Sequence, residues 1–160
     1  LQMDLYTLNP NRLIREVVDE LGVNAVKKGL ALNYHPYTER LPAINIDKDR
    51  FKQVLVNIVG NAIKYTKSGS VDIEVGEDSR DKYLEIKVKD SGIGISNKDR
   101  VRLFEKFYRV KNDKTKNITG TGLGLWITKR IVELMSGQIE IESIEEVGTQ
   151  VIISFPIIRQ

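Results

Sequence analysis

The chain has 160 residues, a formal net charge of +3, 41% hydrophobic and 29% charged residues, and no cysteine. That length and mix describe an ordinary globular protein able to bury a core, and the absence of cysteine excludes disulfides and thiolate metal sites. No apolar run is long enough to span a bilayer, no signal peptide is visible, and no basic stripe with interleaved aromatics accompanies the small positive charge, so a cytoplasmic chain without a nucleic-acid partner is expected.

Residues 3–8 alternate and read as a short strand. Asn9-Pro10 offers an N-cap followed by a proline at the first helical position. The helix behind it buries Leu13, Ile14, Val17, Val18 and Leu21 at helical spacing. Residues 31–34 and 43–46 are short strand candidates, and Asp47 caps a helix over roughly residues 48–66. Residues 70–75 and 83–89 alternate around a polar turn and form an antiparallel hairpin. Ser96 to Asp99 has capping-box spacing and opens a short helix ending near Phe107. Residues 110–119 are polar and aperiodic, which reads as a mobile loop. A helix from about Leu123 to Met135 is stopped by Gly137, and a second hairpin joins residues 138–143 to 150–155. Strands that arrive mostly in antiparallel pairs, with helices between them, give an α+β class. The expected architecture is a two-layer α/β sandwich with one mixed, mostly antiparallel sheet and helices packed on one face.

The second helix carries the first chemical signal. Phe51, Val54, Leu55, Ile58, Val59, Ala62 and Ile63 form one apolar face, and Gln53, Asn57, Asn61 and Lys64 form a narrow stripe opposite. Asparagine inside a helix costs several tenths of a kcal/mol against alanine, so two of them one turn apart need a reason. An amide oxygen is a hard neutral ligand suited to Mg²⁺, which keeps waters and substrate phosphates in its shell. Lys64 adds a positive charge where a phosphate tail would lie. The plain alternative is a solvent-facing polar stripe.

Asp90 has the strand parity of Leu84, Ile86 and Val88, which aims its carboxylate toward the core side. An unpaired charge there is expensive, and the exocyclic amine of a purine is a suitable donor. Gly92 and Gly94 leave room for a flat ring, with Ile93 and Ile95 as apolar walls. A simple Asp-Ser-Gly turn is the competing explanation. Further on, Gly120, Gly122 and Gly124 precede an apolar helix, where exposed N–H groups make an anion site. Leu125 breaks the dinucleotide G-x-G-x-x-G spacing, and no Walker A sequence occurs. Lys111, Lys114 and Lys116 lie in the polar loop before these glycines, a lid that could order on a nucleotide.

Together these segments resemble the catalytic, ATP-binding domain of sensor histidine kinases, a branch of the superfamily shared with DNA gyrase, mismatch-repair and heat-shock-chaperone ATPases. Asn57-x-x-x-Asn61-Ala62-x-Lys64-Tyr65 is similar to the N box, and Asp90-x-Gly92-x-Gly94 to the G1 box. Phe104-Glu105-Lys106-Phe107-Tyr108-Arg109 is similar to the F box, and Gly120-Thr121-Gly122-Leu123-Gly124-Leu125 to the G2 box. Gly148-Thr149 matches the final glycine-threonine element. The resemblance implies ATP and Mg²⁺ as cofactors. Asn61 would ligand the metal, Asn57 would lie beside the triphosphate, and Lys64 and Tyr65 would contact phosphate or ribose. Asp90 would bind the adenine amine, supported by Thr149, with Gly92, Gly94 and Ile95 around the base. Arg109 and the backbone of Gly120, Thr121, Gly122, Leu123, Gly124 and Leu125 would meet the terminal phosphates. Asn57, Lys64 and Arg109 are the residues assigned to catalysis.

Hydrolytic relatives place a water-activating glutamate one turn before the metal-binding asparagine. Here that position is Asn57, which cannot act as a carboxylate base, so slow hydrolysis and transfer to another acceptor are expected. The single histidine, His35, precedes Pro36, which disfavours helix at His35 and argues against His35 as the acceptor. Residues 1–160 are therefore expected to form one catalytic domain, monomeric in isolation, without dimerisation, acceptor or sensor segments. Its expected partners are a histidine-bearing dimerisation domain of the same full-length protein and a downstream response-regulator receiver domain, with any membrane anchor in segments absent here. An anti-sigma-type serine kinase, a nucleotide-sensing binding module and a DNA-associated ATPase are the alternatives.

Overall fold

The periods legible in the sequence become, in chain order, β1 (Tyr6–Leu8), α1 (Asn11–Lys27), β2 (Ala31–Pro36), β3 (Ile44–Ile46), α2 (Lys48–Lys64), β4 (Ser70–Glu77), β5 (Tyr83–Asp90), α3 (Asn97–Arg100), α4 (Gly124–Leu134), β6 (Gln138–Ile144) and β7 (Gly148–Pro156). The structure is a computed structural model that describes residues 2–78, 80, 82–118, 120 and 124–159.

The main sheet has five strands in the order β2-β4-β5-β7-β6. β2 runs parallel to β4, while the β4–β5, β5–β7 and β6–β7 pairs are antiparallel. Alternation decides which face is covered. Val71, Ile73 and Val75 of β4 and Leu84, Ile86 and Val88 of β5 are buried, and the residues between them are not. These side chains join Phe51, Val54, Leu55, Ile58, Val59 and Ile63 of α2 in one core. α2 touches both α1 and α4, so the helices form the second layer of an α/β sandwich. The rings of Phe51 and Phe155 meet edge to face with centroids 5.8 Å apart, pinning α2 to β7.

The structure differs locally from the sequence reading at four places. β1 is shorter than residues 3–8 and pairs with β3 in a separate two-stranded sheet, outside the main one. Pro10 stands at the N-cap of α1, one place earlier than expected; Asn9 Oδ1 accepts from Asn11 N at 2.9 Å in a local Asx turn. α3 stops at Arg100 and gives way to turns that end at Phe107, whose φ of +67° is left-handed. The left-handed residue closing α4 is Ser136, φ +61°, and the Gly137 N–H then donates to Val132 O.

Asp47 caps α2 as expected and does one thing more. Its Oδ1 accepts from Arg50 N at 3.0 Å, and its Oδ2 accepts from Asp4 N at 2.9 Å, so one buried carboxylate ties the N-terminal segment to the site helix. The Asp4 N–H, then the Arg50 N–H, hold the carboxyl below its ordinary 3.8. Asp47→Ala is expected to cost about 1–2 kcal/mol, the usual range for a lost N-cap. A lowered carboxyl pKa stabilises the fold fully above the ordinary carboxylate range and loses that contribution as pH falls through the lowered value. Urea unfolding at neutral pH and below about pH 4 should therefore show the gap between wild type and Asp47→Ala shrinking on acidification.

Candidate functional site

One cleft of about 370 Å³ gathers most of the polar residues singled out from the sequence. Asn57, Asn61, Lys64 and Tyr65 reach it from α2 and its C-cap, Asp90 and Thr149 from paired ends of β5 and β7, and Gly94 and Ile95 from the turn after β5. Arg109, Gly120, Gly124 and Leu125 close the remaining side. Gly92 is not among the lining residues, and Thr121, Gly122 and Leu123 lie outside the described residues.

The helix positions its amides through the opposite face. With Phe51, Leu55, Ile58 and Ala62 buried, Asn57 and Asn61 are left half-buried at the cleft. Asn57 Nδ2 donates to Thr128 Oγ1 at 3.2 Å, and Thr128 is fully buried on α4. This bond joins the asparagine helix to the helix behind the second glycine segment and fixes the Asn57 rotamer. The sequence reading missed it because no local pattern links residues 57 and 128.

The end of α2 is held from three sides. Lys28 Nζ donates to Ile63 O at 2.7 Å and to Lys64 O at 3.2 Å, favourably placed at a helix C-terminus. Thr66 Oγ1 donates to Ala62 O at 2.7 Å. Tyr65 O accepts from Ile93 N at 3.2 Å, which sets the turn after Asp90 directly on the helix end.

That turn explains Asp90. Its Oδ1 accepts from Gly92 N at 2.9 Å and from Thr149 N at 3.2 Å. The partner expected for the inward-facing carboxylate is thus supplied in part by the protein backbone. Burial pushes the Asp90 pKa up, and the two N–H donors oppose that rise. The glycines also have a cause different from the one expected. A Cβ on Gly92 would lie 2.4 Å from Tyr65 O and 2.9 Å from Asp90 Oδ1. Gly94 has φ +69°, and a Cβ there would lie 2.1 Å from Ile144 O. Close approach of the chain to itself requires both positions.

The residues before the second glycine segment fold around Thr115. Thr115 is buried, its hydroxyl donates to Val110 O at 2.8 Å, and it accepts from Asn112 N at 3.0 Å. Thr115 and Val110 line the cleft, whereas Lys111, Lys114 and Lys116 do not. Lys114 pairs instead with Glu146 in the β6–β7 turn, and Glu146 N donates to Ile93 O at 2.8 Å. Arg109 donates to Ile118 O beside Gly120. Phe104 and Phe107 stay off the cleft; Lys129 Nζ sits 5.1 Å from the Phe104 ring centre, and Lys106 and Arg130 flank Trp126 at 4.8 and 5.2 Å.

Apolar lining completes the hollow. Ile58 and Ala62 face Ile93, Leu103, Ile141 and Val151 around the polar groups, an arrangement suited to a flat ligand with a few directional contacts. Of these, Ile93 was foreseen as a wall. Ile58 and Ala62 read from sequence as core, because they edge both surfaces, and Leu103, Ile141 and Val151 carry no local signal.

The family model described as Histidine kinase-, DNA gyrase B-, and HSP90-like ATPase matches residues 46–159, and the chain belongs to that family. The sensor histidine kinase RcsC of Escherichia coli (strain K12) is 36% identical over 147 residues, covering 89% of this chain and 15% of RcsC. The sensor histidine kinase WalK of Bacillus subtilis (strain 168) is 42% identical over 114 residues, covering 71% of this chain and 19% of WalK. The chain is therefore similar to a small part of each of these curated relatives. Among solved structures, full-length ShkA in complex with AMPPNP superposes with a TM-score of 0.85 at 28% identity, covering 100% of this chain and 32% of that chain. The nucleotide-free catalytic domain of histidine kinase ThkA superposes with a TM-score of 0.81 at 30% identity, covering 96% of this chain and 98% of that one.

Gly92→Ala tests how the cleft is built. The added methyl group must move either the end of α2 or the turn after β5, since its contacts include backbone. The variant is expected to unfold at lower urea, by a few kcal/mol as for other overpacked sites. Its Asp90 pKa should also shift, measurable by NMR titration of the carboxyl carbon across the acidic range. An unchanged urea midpoint with an unchanged Asp90 titration would contradict the contact.

Proposed function

We propose that this cleft binds Mg-ATP and that the chain is the catalytic domain of a sensor histidine kinase, which presents the γ-phosphate to a histidine on a separate dimerisation domain. The observation that carries this reading is the meeting of Asn57, Asn61 and Lys64 with Asp90 and Thr149 in one hollow. Asp90 takes the base through its amine, with Thr149 beside it. Asn57, Lys64, Tyr65 and Arg109 hold the ribose and phosphates, together with the backbone of residues 120–125.

The donor set fits Mg²⁺ delivered on a polyphosphate. Among the described residues no cluster of three or more His, Cys, Asp or Glu side chains could hold a metal alone. Asn61 offers one neutral oxygen, and Lys64 and Arg109 offer charge for phosphate oxygens. When bound, the metal supplies charge neutralisation on the phosphates. The protein's own part is positioning. The Thr128 bond holds Asn57, the capped end of α2 holds Lys64 and Tyr65, and the apolar walls limit water. Asn57 cannot accept a proton from water as a carboxylate would, which favours transfer to another acceptor over hydrolysis.

In this reading residues 1–160 act as one domain, and its partners are a histidine-bearing helical hairpin and, downstream, a receiver domain. His35 is not the acceptor: it lies in strand β2, with Nε2 3.1 Å from Asp72 Oδ1. Among the described residues no helix is long and apolar enough to cross a membrane.

Incubation with γ-labelled ATP and the acceptor hairpin of the full-length protein should give an acid-labile label on the hairpin histidine and negligible phosphate release. An acid-stable label on a serine of an added substrate would favour the anti-sigma type of kinase, and no calorimetric heat at millimolar Mg-ATP would sink both. Asn61→Ala is expected to weaken ATP binding about tenfold or more in Mg²⁺ and to change it little in EDTA, since a single charge-assisted contact is worth roughly 1.5–3 kcal/mol. An unaltered magnesium titration would refute the assignment of Asn61.

A further inference from the structure

We propose that Ser143, which does not line the cleft, is a specificity-determining positioning residue: it takes up the hydroxyl proton of Thr149, so that the Asp90–Thr149 end of the cleft accepts hydrogen bonds and donates none. The inference deepens the nucleotide reading above and rests on it.

Hydrogen-bond polarity carries it. Ser143 on β6 lies directly opposite Thr149 on β7, and their hydroxyl oxygens are 2.8 Å apart. Distance alone leaves the donor undecided. The other neighbours of Ser143 decide it. Ile95 N is 2.8 Å from Ser143 Oγ, and a backbone N–H can only donate. Gly148 O is 3.0 Å from the same oxygen, and a carbonyl can only accept. Ser143 has one hydroxyl hydrogen, and Gly148 takes it. The hydrogen between the two hydroxyls must then come from Thr149. What remains of the Thr149 oxygen is its lone pairs.

Asp90 has the same polarity. Its Oδ1 is occupied by the N–H groups of Gly92 and Thr149, and an ionised carboxylate has nothing to donate. Thr149 and Asp90 both line the cleft, and they are neighbours in the β5–β7 register. A base edge carrying an amine meets two acceptors there. A base edge carrying a carbonyl at the same place meets lone pairs with no donor. Ser143 thus chooses between an amine and a carbonyl without touching the base, and the same oxygen anchors the Gly94–Ile95 turn through Ile95 N.

The test compares Mg-ATP with Mg-ITP, which carries a carbonyl in place of the adenine amine, by calorimetry or displacement of a fluorescent nucleotide. The wild type should prefer ATP. Ser143→Ala frees the Thr149 hydroxyl to donate toward the cleft and should narrow the ATP-to-ITP preference about three- to tenfold, the worth of one neutral hydrogen bond. Ser143→Thr keeps the hydroxyl and should keep the preference. Thr149→Val gives an independent sign that does not require Ser143 variants to fold. Loss of an acceptor narrows the preference, whereas loss of a donor would widen it. An unchanged ratio in folded Ser143→Ala, or an unchanged or wider one in Thr149→Val, overturns the proposal while leaving the nucleotide site standing. Equal wild-type affinity for the two nucleotides would overturn the base-reading role of Asp90, and this proposal with it.

Discussion

The hydrogen bond from Ile93 N to Tyr65 O, 3.2 Å long, is the contact on which the cleft depends. It joins the carbonyl of the C-cap residue of the asparagine helix to the turn that follows Asp90. That carbonyl has no partner within the helix, and the turn has an N–H to place, so each satisfies the other. The fit is close enough that only glycine is accommodated at position 92. Lys28 and Thr66 secure the same helix end from the α1 side and from within. Asn61, one turn back along α2, and Asp90, three residues before Ile93, are thereby delivered to one hollow.

The main polar groups of that hollow are positioned by buried apolar faces, by backbone N–H groups or by side-chain hydroxyls. The amide stripe of α2 faces the cleft because the apolar face of the helix is buried in the core, with Ile58 and Ala62 at the boundary between the two. Asp90 sits at the end of a strand whose alternate residues are core, so it is drawn into partial burial and its pKa rises. Two N–H donors keep that burial tolerable while leaving the second carboxylate oxygen to other partners. Asn57 is steadied by Thr128, and Thr149 by Ser143. Side chains held by partners in this way are expected where function rests on orientation rather than on a protein acid or base.

Much of this was legible in the residues. The period of α2 separated core face from polar stripe, and the buried residues are those expected. Strand parity placed Asp90 toward the core. Asp47 and Ser96 announced their helices by capping chemistry, and both side chains accept the expected N–H bonds. What could not be read is what arises only between distant segments. Parity suggested that Asp90 needed a partner, but not that Gly92 and Thr149 would provide one. Gly92 and Gly94 looked like room for a ligand, whereas Tyr65 O and Ile144 O are what crowd them. Thr128 and Ser143 carry no local mark, since each acts on a residue of another element. The lysines of the loop before Gly120 read as part of a lid over a nucleotide; Lys114 pairs with Glu146, and none of the three lines the cleft. Thr121, Gly122 and Leu123 lie outside the described residues.

The central claim is that Asn61 and Asp90 hold opposite ends of a single nucleotide. Replacing Mg²⁺ by paramagnetic Mn²⁺ in an ATP titration followed by backbone NMR tests this most directly. One equivalent of Mn-ATP should broaden the amides around Asn57, Asn61 and Lys64 most strongly. The same equivalent of Mg-ATP should shift the amides of Gly92, Ile95 and Thr149 with a single common affinity. Broadening centred on another surface, or two sets of residues that saturate at different nucleotide concentrations, would contradict the account.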